Sequence, residues 1–565
     1  MPSLPLVSGA IDWPFLLAVG GGAAALWLAY SLFHLLVPEA RLSSSFKNLP
    51  GPPNPRNWTR ILGHQYEALT RGPALTSEEW HDKYGPTIRL SRPFGRSELS
   101  TTDPAALTFI YRATDERFVK SEGMRQAISA NVGEGVLSVE GHTHRRHRRV
   151  LNPAFGWPQI VEMVPSMWLK AYQLRDKMVS NITDAWASPP ADPRDVVPGA
   201  RVLNMFNELS NAALDIIGLV AIGHDLGSLS DEPNELRDGY NDVLRVGFQT
   251  DIWTVLRFAL PITRKIPLER TRIVRAGRDA VVRFGQRVID EKRRLLLNID
   301  QGRIEKGTDV GKDVLSLVIK ANAAADLRDD ERLNDTEVIA QIATMLFTGH
   351  ETTGTATAFT LRHLSLNQRF QDKLRAELLT IDVDEPDFQV LDKLPYLHAV
   401  AREGLRFETP VPIMGRIATA DVAIPLSIPV RGRDGKMIDV VQLKKGDLIN
   451  APYQAANRLT DVWGADAREF NPERWFRPNM PAKKMPGVWG EIATFGGGPH
   501  NCIGHRMAVA EMKVLLFVLI RNFIFSPAPS GPVIKPKWMI IQRAIVEGEE
   551  HKGPSMPLLV RPVAE

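Results

Sequence analysis

Apolar and polar residues follow the period of α-helices over most of this chain. Apolar positions recur every three or four residues, with few helix breakers, over 161–186, 203–222 and 270–298. Runs with the pattern of strands are short and lie at 87–91, 413–424 and 437–443. This distribution predicts a mainly α protein with small β-sheets at its margins, an α+β fold.

The apolar run at residues 13–37 contains no charged residue and is long enough to cross a hydrocarbon core of about 30 Å. It exceeds the apolar segment of a cleaved signal peptide, about 7–15 residues, and no basic stretch precedes it. Because Arg41 and Lys47 follow it closely, the positive-inside rule predicts a cytosolic location for the remainder. We expect a lumenal N-terminus at 1–12, a transmembrane anchor at 13–37 and a linker with a proline-rich hinge at 38–56.

The rest of the chain, 57–565, has neither repeats nor low-complexity tracts, which indicates one folded domain. The 69 basic and 65 acidic residues of the full chain are spread along the sequence, so the charge pattern argues against a nucleic-acid-binding protein. A single cysteine excludes an intramolecular disulfide and any metal site that needs several thiolates.

The longest helical pattern, 334–364, opens with an Asn-Asp cap and Glu337 in its first turn, as in a capping box. Its centre, 348–353, reads Thr-Gly-His-Glu-Thr-Thr, and such residues weaken a helix. A polar interruption in a buried helix is typical of a functional site, although a kinked core helix is the alternative. An opened turn lined by the acid Glu351 and the hydroxyl of Thr352 could hold water and pass protons.

Glu403 and Arg406 lie three residues apart, so they share one face of a predicted helix. Such pairs are common at surfaces, where they contribute about 0–1 kcal/mol. Arg474 follows in a proline-bounded turn, and two arginines on one carboxylate would form a buried structural network.

Cys502 follows three glycines and a Pro-His pair, and the apolar run behind it predicts a buried helix that starts at the thiol. A helix N-terminus lowers the pKa of a thiol, which favours a thiolate that is either a nucleophile or a metal ligand. A nucleophile needs a base, and His500 and His505 are close in sequence. The second reactive region, at 348–353, favours the interpretation of Cys502 as a metal ligand, because a cysteine hydrolase does not require such a region.

These motifs together resemble the cytochrome P450 superfamily over nearly the whole chain. Phe495, Gly498, His500, Cys502 and Gly504 match its haem-binding pattern F-x-x-G-x-[R/H]-x-C-x-G, with histidine where arginine is more usual.

Further motifs occur in the family's order. Residues 348–353 are similar to its oxygen-activation motif, with threonine at the first position instead of alanine or glycine. Glu403 and Arg406 match E-x-x-R, and Arg474 falls where the third member of the Glu-Arg-Arg triad belongs.

The basic cluster at 144–149 is similar to the W-x-x-x-R motif of the family, with His144 in place of tryptophan. The resemblance implies that Arg148, Arg416 and His500 contact the haem propionates. The other three arginines of the cluster would either form a positive face for an acidic reductase or be a plain solvated helix surface.

The resemblance implies haem b between the long helix and the cysteine-bearing helix, with Cys502 as the axial ligand and with Thr352 and Glu351 delivering protons. The expected reaction is monooxygenation, a hydroxylation or epoxidation with O2. Electrons would come from NADPH through cytochrome P450 reductase, with cytochrome b5 as a second donor. The protein would be a single-pass protein of the endoplasmic reticulum membrane with a cytosolic catalytic domain.

Substrate-recognition surfaces of the family map onto 120–136, 239–267, the helix face near Phe347, and 411–414, and they are mostly apolar. We therefore expect a lipophilic substrate, a terpenoid or other secondary metabolite in a chain that resembles fungal members. Broad oxidation of xenobiotics or aromatic hydrocarbons is the alternative. A non-catalytic haem-binding protein, an isomerase of the same fold and a cysteine hydrolase are the alternatives from other classes.

Overall fold

The molecule is described by a computed structural model, in which most of the chain beyond residue 46 is covered. The described residues are 22, 25, 27, 47–55, 62–93, 96–113, 116–183, 192–230, 269–300, 311–323, 328–481, 484–539 and 541–563. The predicted anchor at 13–37 lies outside them except at three isolated positions, and the predicted recognition segment at 239–267 lies wholly outside.

The described part of the chain is mainly helical, as the sequence pattern predicts. Its α-helices are α1 (Gln65–Arg71), α2 (Pro73–Tyr84), α3 (Pro104–Arg112), α4 (Glu122–Val132), α5 (Gly141–Leu151), α6 (Trp157–Thr183), α7 (Met205–Ile217), α8 (Glu269–Asp300), α9 (Val314–Asn322), α10 (Asp335–Leu366), α11 (Gln368–Leu378), α12 (Phe388–Asp392), α13 (Pro395–Phe407), α14 (Tyr453–Asn457), α15 (Thr460–Trp463) and α16 (His505–Asn522). The predicted helices correspond to α6, α7, α8 and α10. Helix α7 continues into a π-helical turn, Gly218–Ile222.

The strands are short and form small sheets beside the helices. They are β1 (Thr87–Ser91), β2 (Ser97–Thr101), β3 (Phe118–Val119), β4 (Arg201–Asn204), β5 (Met414–Ala418), β6 (Val422–Arg431), β7 (Met437–Leu443), β8 (Leu448–Ala451), β9 (Phe523–Pro527), β10 (Ile534–Met539), β11 (Ile541–Val546) and β12 (Pro557–Pro562). The largest sheet has the order β1-β2-β8-β5-β3, and the others are β4-β12-β9, β6-β7 and β10-β11.

The predicted strands at 87–91 and 437–443 coincide with β1 and β7. The predicted run at 413–424 is instead divided between two sheets, because β5 pairs with β8 and β3 whereas β6 pairs with β7.

The long helix α10 begins with the predicted capping box. Asn334 Oδ1 accepts from the backbone N–H of Glu337 at 2.9 Å, and Glu337 Oε2 accepts from the N–H of Asn334 at 3.0 Å. At Gly349 a Cβ would lie 2.5 Å from the side chain of Ile217, so the absent side chain lets α7 pack closely against α10.

Helix α5 contacts both α10 and the loop that carries Cys502, and it thereby fixes their relative positions. His147 lies 3.2 Å from Glu337 and 3.1 Å from Gln341 of α10, while Arg148 donates to Asn501 next to the cysteine. Helix α16 runs through the core, with an uninterrupted buried stretch from Val509 to Ile520.

Within the described residues, one helical stretch, Met205–Ile222, has the length and hydropathy of a membrane span, and 72% of it is buried in the protein. Packing against α10 accounts for its apolar character, so it is a core helix.

Candidate active site

Cys502 lies in a loop between a single 3-10 turn, Gly498–His500, and α16. Its backbone N–H donates to the carbonyl of Phe495 at 2.8 Å. The helix begins at His505 rather than at the thiol, so the predicted helix start is wrong by one turn. His505 Nδ1 hydrogen-bonds to the carbonyl of Cys502 at 3.0 Å, and no described imidazole bonds to the sulfur, which argues against a cysteine hydrolase.

Burial raises the pKa of the Cys502 thiol, whereas the backbone N–H of Gly504 and the Arg148 guanidinium act in the opposite direction. The expectation that a helix start lowers this pKa is therefore wrong, because α16 begins beyond the thiol and burial outweighs it. Cys502 nevertheless keeps accessible surface.

Glycines bring the cysteine loop against helix α3. Gly498 has a φ of +65°, and a Cβ there would lie 1.8 Å from the carbonyl oxygen of Tyr111, so only glycine fits. A Cβ at Gly504 would make only ordinary contacts at 3.9 Å. Phe495 packs edge-on against Trp489, with ring centroids 6.0 Å apart, and supports the loop from the core side.

Two arginines close to this loop have no carboxylate partner among the residues described. Arg148 donates to the carbonyl and to Oδ1 of Asn501 at 3.0 and 2.9 Å. Arg416, on β5, donates to the carbonyl of Gly415 at 2.9 Å. A cation without a nearby carboxylate favours an anionic ligand at this edge of the site.

The two predicted histidines stack on each other beside these arginines. The rings of His144 and His500 are 4.0 Å apart with an interplanar angle of 26°. Burial, together with the positive charge of Lys120, lowers the pKa of each to about 3, so both are neutral at pH 7.

Sequence reasoning missed Glu140, and it placed Lys120 only at the start of the predicted recognition segment 120–136, not beside the thiol. Lys120 is 5% exposed and lies 2.7 Å from Glu140 Oε1, while His500 Nε2 lies 3.1 Å from Glu140 Oε2. Lys120 and the two arginines are three cations, and Glu140 is the one described carboxylate paired with any of them. Two positive charges near the thiol are therefore uncompensated. The signal in the sequence was weak, because Glu140 is merely the residue before α5.

The middle of α10 has one accessible strip. Between Thr344 and Leu361, every residue is buried except Thr348, Gly349 and Thr352, which are partly exposed and whose spacing places them on one helical face. The hydroxyl of Thr352 donates to the carbonyl of Thr348 at 2.7 Å. The helix is continuous here, so the expected opened turn is wrong: the threonine hydroxyls bond back to carbonyls without breaking it.

Glu351 lies on a different side of α10 from this strip and is 3% exposed. Its Oε1 accepts a hydrogen bond from Nε of Arg543 on β11, in an ion pair that the sequence did not reveal. Its Oε2 is buried and has no hydrogen-bond partner among the described residues.

Glu403, Arg406 and Arg474 come together in the core, each 0% exposed. Arg406 donates to both oxygens of Glu403 at 2.9 and 2.8 Å, and Arg474 donates to Oε1 at 3.0 Å. Although burial acts to raise the pKa of Glu403, the two guanidiniums hold it below its usual range. The geometry is that of a structural network, since every charge is paired.

The remaining arginines of the basic cluster are tied to carboxylates of other elements. Arg145 pairs with Glu116 at 2.5 Å, Arg146 with Glu337, and Arg149 with Glu331. Arg145 and Arg149 stay more than half exposed and Arg146 is largely buried, so ion pairs reduce the net positive charge of this helix face.

An accessible cysteine one turn before a buried helix, uncompensated cations beside it and a threonine strip on a long helix define the class of thiolate-ligand haem enzymes. The family model for cytochrome P450 matches residues 50–546. The chain belongs to the cytochrome P450 family.

Curated relatives extend over almost the full length. Cytochrome P450 monooxygenase 205 of Postia placenta is 37% identical over 96% of this chain and 97% of its own. Cytochrome P450 monooxygenase claW of Ampulloclitocybe clavipes is 32% identical over 96% and 97%. Ganoderic acid synthetase of Ganoderma lucidum is 30% identical over 90% and 92%. The protein is therefore a monooxygenase of this family, similar to fungal enzymes of which one is named a ganoderic acid synthetase.

The family implies a haem-thiolate cofactor, and the residues present fit it. Haem carries two propionates, and their charge matches the two positive charges that Glu140 leaves uncompensated. Cys502 offers the accessible sulfur that an axial ligand requires.

Proposed function

We propose that the protein is a single-pass monooxygenase of the endoplasmic reticulum membrane, anchored by residues 13–37, with its catalytic domain at 57–565 in the cytosol. It transfers one oxygen atom from O2 to a lipophilic substrate with electrons from NADPH, delivered by cytochrome P450 reductase and supplemented by cytochrome b5. The observation that carries the proposal is an accessible Cys502 beside cations without carboxylate partners, in a chain of this family.

Bound haem supplies the iron that activates O2. Cys502 would hold the iron through its thiolate, and Arg148, Arg416 and Lys120 would bind the propionates through charge-assisted hydrogen bonds. Neutral His144 and His500 fill the edge of the site by stacking. The backbone N–H of Gly504 stabilises negative charge on the sulfur.

Thr352 and Glu351 divide the proton delivery. The hydroxyl hydrogen of Thr352 is committed to the carbonyl of Thr348, which leaves its oxygen lone pairs to accept hydrogen bonds on the accessible strip. Glu351 offers Oε2, which no described group occupies, as the atom that takes and releases protons.

Terpenoids or other secondary metabolites are the proposed substrates, and xenobiotics or aromatic hydrocarbons are the alternative. The partly accessible residues of the predicted recognition loop, Val411, Ile413 and Met414, are all apolar. A ganoderic acid synthetase among the relatives supports the first class. Membranes that contain this protein and a fungal reductase should convert members of a lipophilic panel, under labelled O2, to products that carry one labelled oxygen atom.

The Cys502→Ser variant tests the axial ligand. It should lose the thiolate-type absorption spectrum of the reduced carbon monoxide complex, because an alcohol does not donate like a thiolate. Arg369→Gln, a change at an exposed ion pair, is the control and should keep that spectrum. A normal spectrum in Cys502→Ser would overturn the assignment.

A further inference from the structure

The carboxylate of Glu351 is asymmetric. One oxygen, Oε1, accepts from Arg543, while Oε2 is buried without a hydrogen-bond partner among the described residues. Buried polar atoms are nearly always satisfied, so an orphaned carboxylate oxygen calls for a functional explanation. Both side chains are almost fully buried, at 4% exposure for Glu351 and 7% for Arg543, which removes water as a competitor for the ion pair.

Arg543 is held by a rigid strand. Every residue of β11 is buried, and the neighbouring Gln542 fixes the strand through two contacts. Its backbone N–H donates to the carbonyl of Pro410 at 2.8 Å, and its side chain donates to Glu408 at 2.9 Å. Because successive side chains of a strand point to opposite faces, Gln542 faces Glu408 while Arg543 faces α10.

Two neighbours of Glu351, Arg543 and His350, carry ionisable side chains. Arg543 supplies the compensating positive charge. His350 adds none at neutral pH, because burial lowers the pKa of its imidazole, and its Nδ1 hydrogen-bonds to the carbonyl of Leu346 at 2.9 Å. Loss of Arg543 would therefore leave a buried carboxylate uncompensated, and such a group takes up a proton or rearranges.

We propose that Arg543 is a positioning residue for the oxygenation reaction: it fixes Oε1 of Glu351 and thereby leaves Oε2, one residue before Thr352, as the single proton-exchanging atom. This inference rests on the proposed proton delivery by Glu351. It assigns a role in the chemistry to β11, which lies 192 positions beyond Glu351 in the chain.

The first measurement needs no substrate. In the haem-loaded protein with reductase and NADPH, two electrons and two protons reduce O2 to hydrogen peroxide, whereas four of each reduce it to two waters. Poorer proton delivery raises the peroxide formed per NADPH. We expect Arg543→Gln and Glu351→Gln to lower the water-forming share by roughly tenfold, and Arg543→Lys to restore part of it.

The second measurement is infrared spectroscopy, which detects a protonated carboxyl group directly. At neutral pH, Arg543→Gln should gain such a band, and the band should be absent from the double variant Glu351→Gln/Arg543→Gln. The double variant also carries no unpaired buried charge, so it should fold if the single variant does not. Lys535→Gln, at an exposed ion pair with Glu547 on the same hairpin, is the matched control and should resemble the wild type in both measurements.

The outcomes separate the two ideas. If Glu351→Gln leaves the peroxide yield unchanged, the proposed proton delivery fails. If Glu351→Gln raises it and folded Arg543→Gln matches Lys535→Gln in both measurements, only the positioning role is overturned. An infrared band in Arg543→Gln that survives in the double variant would also overturn it, since the band would then belong to another carboxyl.

Discussion

Glu403 and Glu351 are both buried carboxylates that face arginine, yet they are satisfied to different degrees. Glu403 accepts from two arginines and from the backbone N–H of Asn471 at 2.8 Å, so both its oxygens are bonded. Glu351 has one bonded oxygen and one without a partner among the residues described. A saturated carboxylate has no capacity left for chemistry, whereas a half-satisfied one keeps an atom available for proton transfer.

The two pairs also differ in what surrounds them. The Glu403 network ties α13 to the carbonyl of Asn457 at the end of α14 and to those of Ala467 and Glu469 in the segment after α15. The Glu351 pair joins α10 to a single strand next to the accessible threonine strip. In the Glu403 network, many hydrogen bonds share the charge, and they stabilise the arrangement. In the Glu351 pair, the charge is shared with a single arginine.

The largest expected effect comes from breaking the saturated pair. Glu403→Gln removes the charge that holds two buried arginines, which should destabilise the fold by about 3–5 kcal/mol. Thermal unfolding and the yield of haem-loaded protein would measure the loss. Arg369→Gln, which breaks the exposed Arg369–Glu473 pair, should cost no more than about 1 kcal/mol. Equal unfolding of the two variants would contradict the structural role of Glu403.

Thr352→Ala should reduce stability less than Glu403→Gln does, and it should affect the reaction more. The variant removes a hydroxyl from the accessible strip and leaves both ion pairs intact, so haem binding and the unfolding temperature should change little. Product formed per NADPH should fall by roughly 10²-fold because proton delivery loses its acceptor. Unchanged coupling between NADPH consumption and product would remove Thr352 from the mechanism. Thr357→Ala, at a buried threonine on the same helix, provides the comparison.

The smallest expected effect is a loss of stability at acidic pH, and it comes from His81, which is buried and neutral. Burial lowers the pKa of His81 to about 4, with its ring bonded to Gly85 and Ser100. The unfolded chain therefore binds a proton below about pH 6.5 that the folded protein excludes until about pH 4, so stability falls as the pH drops through this window. The full difference is about 3 kcal/mol. His81→Gln should flatten the slope of unfolding free energy against pH, and an unchanged slope would contradict this origin.

Sequence reasoning located the residues of local patterns and missed those of tertiary pairs. The strands at 87–91 and 437–443, the capping box of α10 and the Glu403–Arg406 face depend on neighbours in sequence, and the structure has them in place. Arg543 and Lys120 carry no local signal, because their partners are set only when distant elements pack. The thiol pKa was misjudged for the same reason, since burial is a property of the whole fold.

The close approach at Gly498 has a consequence for how the cofactor is acquired. The loop that carries Cys502 rests on the carbonyl of Tyr111 through a contact that no larger residue would allow, and its backbone bonds to Phe495 within the loop itself. Both contacts are made by protein atoms alone, so they favour this placement of the ligand independently of its bond to iron. Little conformational entropy then opposes loading, and a substitution such as Gly498→Ala should weaken haem capture by disordering the apoprotein rather than by removing any bond to iron.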